Sequence, residues 1–116
     1  MQSCNEEHHQ HNCSDLEPSI QQLERTAALF KAMGDPARLT LLYRLGKGEV
    51  CVGELVTDND KLSTVSARLQ TLLNANLIIR RRDARHLYYR LADQHVVELI
   101  ENALEHANEN NSTKGE

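Results

Sequence analysis

The residues best able to do chemistry stand near the carboxyl end of the chain: Asp93 and His95, then His106 and Glu109. All four are side chains that bind a divalent metal such as zinc. On a helix, His106 and Glu109 share a face, being three residues apart, and could hold one ion together. His95 and His106 are eleven residues apart, about three turns, so they point the same way but lie roughly 16 Å apart along the axis. One helix therefore cannot bring both ends to a single metal. Two copies packed antiparallel could, with the start of one helix meeting the end of the other, which suggests a dimer seam that is also a metal site. The alternative is ordinary: His and Glu on the wet side of a surface helix most often bind nothing.

A second group of ligand types opens the chain. Residues 1–15 hold Cys4, His8, His9, His11 and Cys13 without any apolar periodicity, so they are expected to form a flexible Cys- and His-rich tract. Such a density of ligand types in so short a tract reads as metal-binding. Thiolate and imidazole suit Zn(II), Cd(II), Pb(II) or Cu(I) better than magnesium or calcium, and Co(II) and Ni(II) overlap with them. A small buried hydrophobe is the simpler role for Cys51.

The elements that must position these groups are mostly helical. Residues 19–33 read as a helix with Pro18 in its opening turn and Ile20, Leu23, Ala27, Phe30 and Met33 as a buried stripe. Gly34 ends it. Asp35 caps a second helix with Pro36 at its first position and Leu39, Leu42, Tyr43 and Leu45 facing inward. Residues 49–52 form a short extended or edge segment, and a short third helix occupies 53–56. After a polar loop, a fourth helix runs from residue 62 or 63 to about 75, with Val65, Leu69, Leu72 and Leu73 inward. Its other face carries Ser63, Thr64, Ser66, Arg68, Gln70 and Thr71. A short helix, a turn and a second helix with a polar front make a helix-turn-helix, whose second helix enters the major groove. Residues 77–82 and 86–91 alternate as two strands with 83–85 at the tip, so a β-hairpin wing follows directly. The last helix, 93–109, has Val96, Leu99, Ile100, Ala103 and Ala107 as its stripe.

Charge supports the nucleic-acid reading. The net charge is −4, yet five arginines fall at positions 80, 81, 82, 85 and 90, beside His86 and with one Asp among them. A basic island on an acidic chain is a local footprint for an anion, and on a wing it meets phosphates or the minor groove. Arg81, Arg82, Arg85 and His86 are the candidates there. With 116 residues, one Phe, three Tyr and no Trp, a single small domain over 16–110 must build its core from Leu, Val, Ile and Ala. Residues 111–116 read as a disordered tail. No apolar run approaches the roughly 20 residues of a membrane span, and the polar, acidic start is no signal peptide. The expected address is the cytoplasm, without membrane partners, where an odd set of three cysteines stays reduced or binds metal. No nucleophile, base and orienting group occur together, and four protein ligands leave a metal no open position, so an enzyme is not expected.

The runs Gly34-Asp35-Pro36-Ala37-Arg38-Leu39, Glu49-Val50-Cys51-Val52-Gly53-Glu54-Leu55, Ser63-Thr64-Val65-Ser66 and Arg85-His86-Leu87-Tyr88-Tyr89-Arg90-Leu91, in this order, resemble the ArsR/SmtB family of metal-sensing repressors. The resemblance spans about residues 22–109. It implies a mainly α winged helix-turn-helix with a small β-hairpin, a homodimer formed through the first and last helices. Such a repressor binds an inverted-repeat operator in double-stranded DNA without metal. Metal then releases it and derepresses efflux or sequestration genes. The family's zinc-type site pairs an Asp and a His at the start of the last helix with a His and a Glu from the end of the partner's, matching Asp93, His95, His106 and Glu109. Some members have a second site that joins amino-terminal cysteines to a Cys-x-Cys pair. This chain has Cys51 but Gly53 in place of the second cysteine, and Cys4, Cys13 and Cys51 with one of His8, His9 or His11 could still supply four ligands across the dimer. The chain departs from the family also at Ala67 in the recognition helix and at Ala84, where glycine usually turns the wing. Two other functions fit the ligand-rich composition: a repressor sensing oxidation at Cys13 or Cys51, and a metal-buffering protein without specific DNA binding.

Overall fold

The structure is a computed structural model describing residues 17–115, with side-chain surroundings through 109. Among the described residues, five helices and three strands follow in the order α1 (Ile20–Met33), α2 (Pro36–Leu45), β1 (Val50–Cys51), α3 (Val52–Leu55), α4 (Leu62–Asn74), β2 (Ile78–Asp83), β3 (His86–Leu91) and α5 (Gln94–Gly115). The expected tract of residues 1–15, with Cys4, His8, His9, His11 and Cys13, lies outside the described residues.

Ser19 starts α1 with a capping box: its Oγ accepts from the Gln22 N–H at 3.1 Å, and its own N–H donates to Gln22 Oε1 at 2.8 Å. Pro18 therefore precedes the cap instead of sitting in the first turn. Asp35 caps α2 by accepting from the Arg38 N–H at 3.0 Å, with Pro36 at the first helical position. The Arg38 guanidinium turns back to donate to the Ala32 carbonyl at 2.6 Å, satisfying a terminal acceptor of α1 and fixing the angle between the two helices. At the end of α4, Asn76 takes a left-handed φ of 61°; its N–H reaches the Leu73 carbonyl and the Leu77 N–H reaches Leu72. This Schellman ending turns the chain straight into β2.

The core is aliphatic. Leu42, Leu55, Val65, Leu69, Leu72, Leu77 and Ile78 are sealed from water and join α2, α3 and α4 to the inner face of the sheet. Removing one such leucine to alanine costs roughly 2–5 kcal/mol. The sheet has three strands rather than the two of the hairpin alone. Its order is β1-β3-β2, all antiparallel, because the segment at 50–51 pairs with Tyr89 and Tyr88. Asp83 pairs with His86, so the tip is the two-residue turn Ala84-Arg85, one residue shorter than expected.

Three expected burial patterns are corrected. In α1 only Ala32 and Met33 are buried, whereas Ile20, Leu23 and Phe30 are 73, 55 and 53% exposed. The helix packs on α2 and α4 near its carboxyl end, so most of its stripe has no cover among the described residues. In α5, Val96 and Ile100 are buried and Leu99 is half-buried, but Ala103 and Ala107 are exposed, as is Leu104. In α2, Leu41 is buried beside Leu42 and Leu45, Leu39 is half-buried, and Tyr43 faces out. The helix α5 continues to Gly115, so the tail expected to be disordered from 111 is helical over most of its length.

Candidate metal centre and nucleic-acid interface

Asp93 stands immediately before α5 and caps it, its Oδ1 accepting from the Val96 N–H at 3.1 Å. The same carboxylate lies 3.7 Å from His95 Nδ1, and both side chains are open to solvent, His95 at 94% exposure. A carboxylate has lone pairs to spare, so capping does not prevent it from binding a cation. Two ligands on one zinc, each about 2.0–2.1 Å from the ion, stand roughly 3.3 Å apart in a tetrahedron. The Asp93–His95 pair is thus already within a few tenths of an ångström of a ligand edge. His106 and Glu109 sit exposed on the distal part of α5, one turn apart. Among the described residues no three His, Cys, Asp or Glu side chains gather in one place. Asp93 and His95 stand at the start of α5, and His106 and Glu109 lie past its middle. Donors of these types fit zinc.

The helix-turn-helix is formed by α3 and α4, joined by residues 56–61. Arg44 of α2 donates to the Glu54 carbonyl at 2.6 Å and so anchors the end of α3. On α4, Ser63, Ser66 and Gln70 are exposed and Thr64 is half-exposed, while Val65, Leu69 and Leu72 hold the opposite side in the core. Arg68, expected on this polar front, instead binds Asp60 of the connecting loop at 3.1 Å and is half-buried. It secures the loop to the recognition helix. Gln70 donates to Asn74 one turn on, at 3.0 Å.

The wing arginines divide between two faces. Pleating puts Arg80 and Arg82 on the side of buried Ile78, and puts Arg81 on the outer side with its register partner Tyr88. Arg81 is the only one of the five that is ion-paired among the described residues. Its Nε and Nη2 donate to the two oxygens of Glu49, both at 2.8 Å, and its guanidinium lies 4.5 Å from the centre of the Tyr88 ring. Asp83 is a further carboxylate at 3.9 Å. The hydrogen bonds from Arg81 hold the Glu49 carboxyl below its ordinary value, with Arg90 adding to the effect, and Glu49 in turn raises Arg81. Arg82, Arg85 and His86 are exposed. Ala84 at the tip takes a φ of 57°, the left-handed conformation that glycine adopts without cost.

Cys51 is half-exposed on β1, and its Sγ lies 3.9 Å from His86 Nδ1 on β3. His86 was expected to face DNA and Cys51 to join the amino-terminal tract; neither expectation anticipates that they meet. Hydropathy alternation assigns each strand a face but does not pair β1 with β3. For that reason the Cys51–His86 and Glu49–Arg81 contacts could not be read from the sequence.

No family model matches the chain. It is 37% identical over 92 residues to the transcriptional repressor SmtB homolog of Synechocystis, spanning 78% of this chain and 70% of that protein. It is 34% identical over 85 residues to the cadmium resistance transcriptional regulatory protein CadC homolog of Staphylococcus aureus, spanning 72% of this chain and 70% of the other. Among solved structures it superposes on a homodimeric winged helix-turn-helix DNA-binding domain of Mycobacterium bovis, a possible ArsR-family transcriptional regulator. The TM-score is 0.72 at 32% identity, covering 80% of this chain and 90% of that one. Fold, motif order and relatives agree: the chain belongs to the ArsR/SmtB family of winged helix-turn-helix transcriptional regulators.

Proposed function

We propose that this protein is a cytoplasmic, metal-responsive repressor that binds an inverted-repeat operator as a metal-free homodimer and is released by Zn(II) or a related heavy-metal ion, derepressing metal efflux or sequestration genes. The observation that carries this is the split ligand set of α5. Asp93 and His95 lie close enough to share an ion, and His106 and Glu109 stand about three turns further on. The exposed apolar stripe of α1 supports the dimer, and the relative named for cadmium resistance supports the signal.

In the dimer, the start of one α5 meets the end of its partner, and each of two symmetric sites takes one His and one carboxylate from each chain. Zinc bound there would tie the two chains at fixed points. Operator binding needs the two copies of α4 about 34 Å apart, one turn of the duplex. A seam that favours another separation opposes DNA, and linkage makes the opposition reciprocal, typically ~1–3 kcal/mol. Ser63, Thr64, Ser66 and Gln70 read base edges while Arg82 and Arg85 meet phosphates. Cys4, Cys13 and Cys51, with an amino-terminal histidine, form a second site for softer ions.

A mobility shift with a duplex from the promoter upstream of its own gene tests the reading. Metal-free protein should retard it specifically over a scrambled duplex, and zinc should abolish the shift. A metal-buffering protein would leave the duplex unshifted. A thiol-sensing repressor would release it with peroxide but not with zinc.

A further inference from the structure

The wing carries a small cleft, about 60 Å³, lined by Ile79, Arg80, Arg81, Arg90 and Glu49. Three of its five walls are arginines. Arg81 reaches from β2 across the Tyr88 ring on β3 to Glu49, which precedes β1, so one side chain straps all three strands. Its grip on Glu49 is bidentate, the same fork that arginine uses on a phosphate. The geometry points to Glu49 as an intramolecular stand-in for a DNA phosphate: it occupies the guanidinium fork of Arg81 at the wall of this arginine-lined cleft and withholds Arg81 from the nucleic-acid backbone. This rests on the wing being a DNA contact, as proposed above.

Three features set Arg81 apart from its neighbours. It alone of the wing arginines has a carboxylate partner among the described residues, and it has two, Glu49 and Asp83. Its charge is therefore spent inside the protein. The pair is also insensitive to changes in pH near neutrality, because the hydrogen bonds from Arg81 hold the Glu49 carboxyl below its ordinary value. What can open it is competition from another anion. The Arg81 side chain is 52% exposed and Glu49 28%, so an incoming phosphate can reach the arginine without unfolding the strand. The latch thus lowers the affinity of the wing for any duplex, and leaves sequence discrimination to α4.

The test measures the salt dependence of binding to the promoter duplex by fluorescence anisotropy, for wild type, Glu49→Gln, Arg81→Gln and the double variant. Failure of the wild type to bind would refute the DNA reading itself and is distinguishable from failure of the latch. With wild-type binding in hand, Glu49→Gln should bind roughly two- to fivefold more tightly. Its plot of log affinity against log salt should steepen by about 0.9 per wing, one added phosphate contact. With Arg81→Gln already present, Glu49→Gln should leave that slope unchanged. Equal steepening with and without Arg81 would mean a general loss of negative charge and would overturn the proposal, as would no steepening at all. If Glu49→Gln fails to fold, Arg81→Lys carries the test. A lysine keeps the charge but gives up the two-pronged grip, so its slope should steepen likewise; an unchanged slope there overturns the latch.

Discussion

Mixing two inactive variants should restore metal binding. His95→Gln removes a ligand from the start of α5, and His106→Gln removes one from its far end, roughly 16 Å away along the same helix. If each site joins the start of one α5 to the end of its partner's, both homodimers of the single variants lose a ligand from both sites. A heterodimer of the two differs. One of its sites lacks both histidines, but the other takes Asp93 and His95 from the His106→Gln chain and His106 and Glu109 from the His95→Gln chain, and is intact. Random exchange of protomers makes about half of the dimers heterodimers, each with one good site of two, so the mixture should hold about a quarter of the tight zinc sites of the wild type. The assay is competitive titration against a chromophoric chelator. Each variant is measured alone and after the two have been mixed and held long enough to exchange, with residues 1–15 deleted from all samples to remove their ligands. Recovery of about a quarter supports shared sites. A mixture that binds no more than its components means that the four residues do not work across a dimer, and the seam is refuted.

Other outcomes follow from the same contacts. Phe30→Asp should break the dimer while leaving the protomer folded. Burying the exposed half of a phenylalanine is worth about 1 kcal/mol, two copies change per dimer, and the dissociation constant should rise at least ~30-fold by sedimentation equilibrium. An unchanged constant would remove α1 from the interface. Ala84→Gly should raise the unfolding free energy by about 0.5 kcal/mol, because relief of a left-handed alanine, roughly 1–2 kcal/mol, outweighs the extra freedom of glycine in the unfolded chain, ~0.4–1 kcal/mol. A lower melting temperature would contradict it. Glu49 has a lowered folded pKa, so its contribution to stability is complete above its ordinary value of 4.5 and is lost as the pH falls through the lower folded value. Glu49→Gln should therefore lose less stability than wild type on acidification below 4.5, as read by urea unfolding at a series of pH values; parallel losses would mean that Arg81 does not bind the carboxylate.

Much of this was legible in the chain. Helix α2 was marked by Asp35 and Pro36, the hairpin by alternation about Asp83-Ala84-Arg85, and α4 by Val65, Leu69 and Leu72. These signals are local, set by caps, turns and periodicity. The spacing of Asp93, His95, His106 and Glu109 along one helix was legible for the same reason, since it is a local quantity. What could not be read depends on partners distant in sequence. The stripe of α1 looks like core from its period alone, yet Ile20, Leu23 and Phe30 face outward, because a periodic stripe specifies that a face is covered but not by which chain. The ion-pair partners of Arg68 and Arg81 could not be read either, because charge has no address in sequence; in the fold they are Asp60 and Glu49.

The most direct test of the central claim is zinc-driven release from DNA in the His106→Gln variant. Wild type and variant are bound to the labelled promoter duplex at equal saturation and titrated with zinc while anisotropy is followed. The variant should bind the metal-free duplex as the wild type does and remain bound at zinc concentrations that release the wild type, a difference of about 5–150-fold in apparent affinity. If zinc releases the variant as readily as the wild type, the ends of α5 are not the sensor.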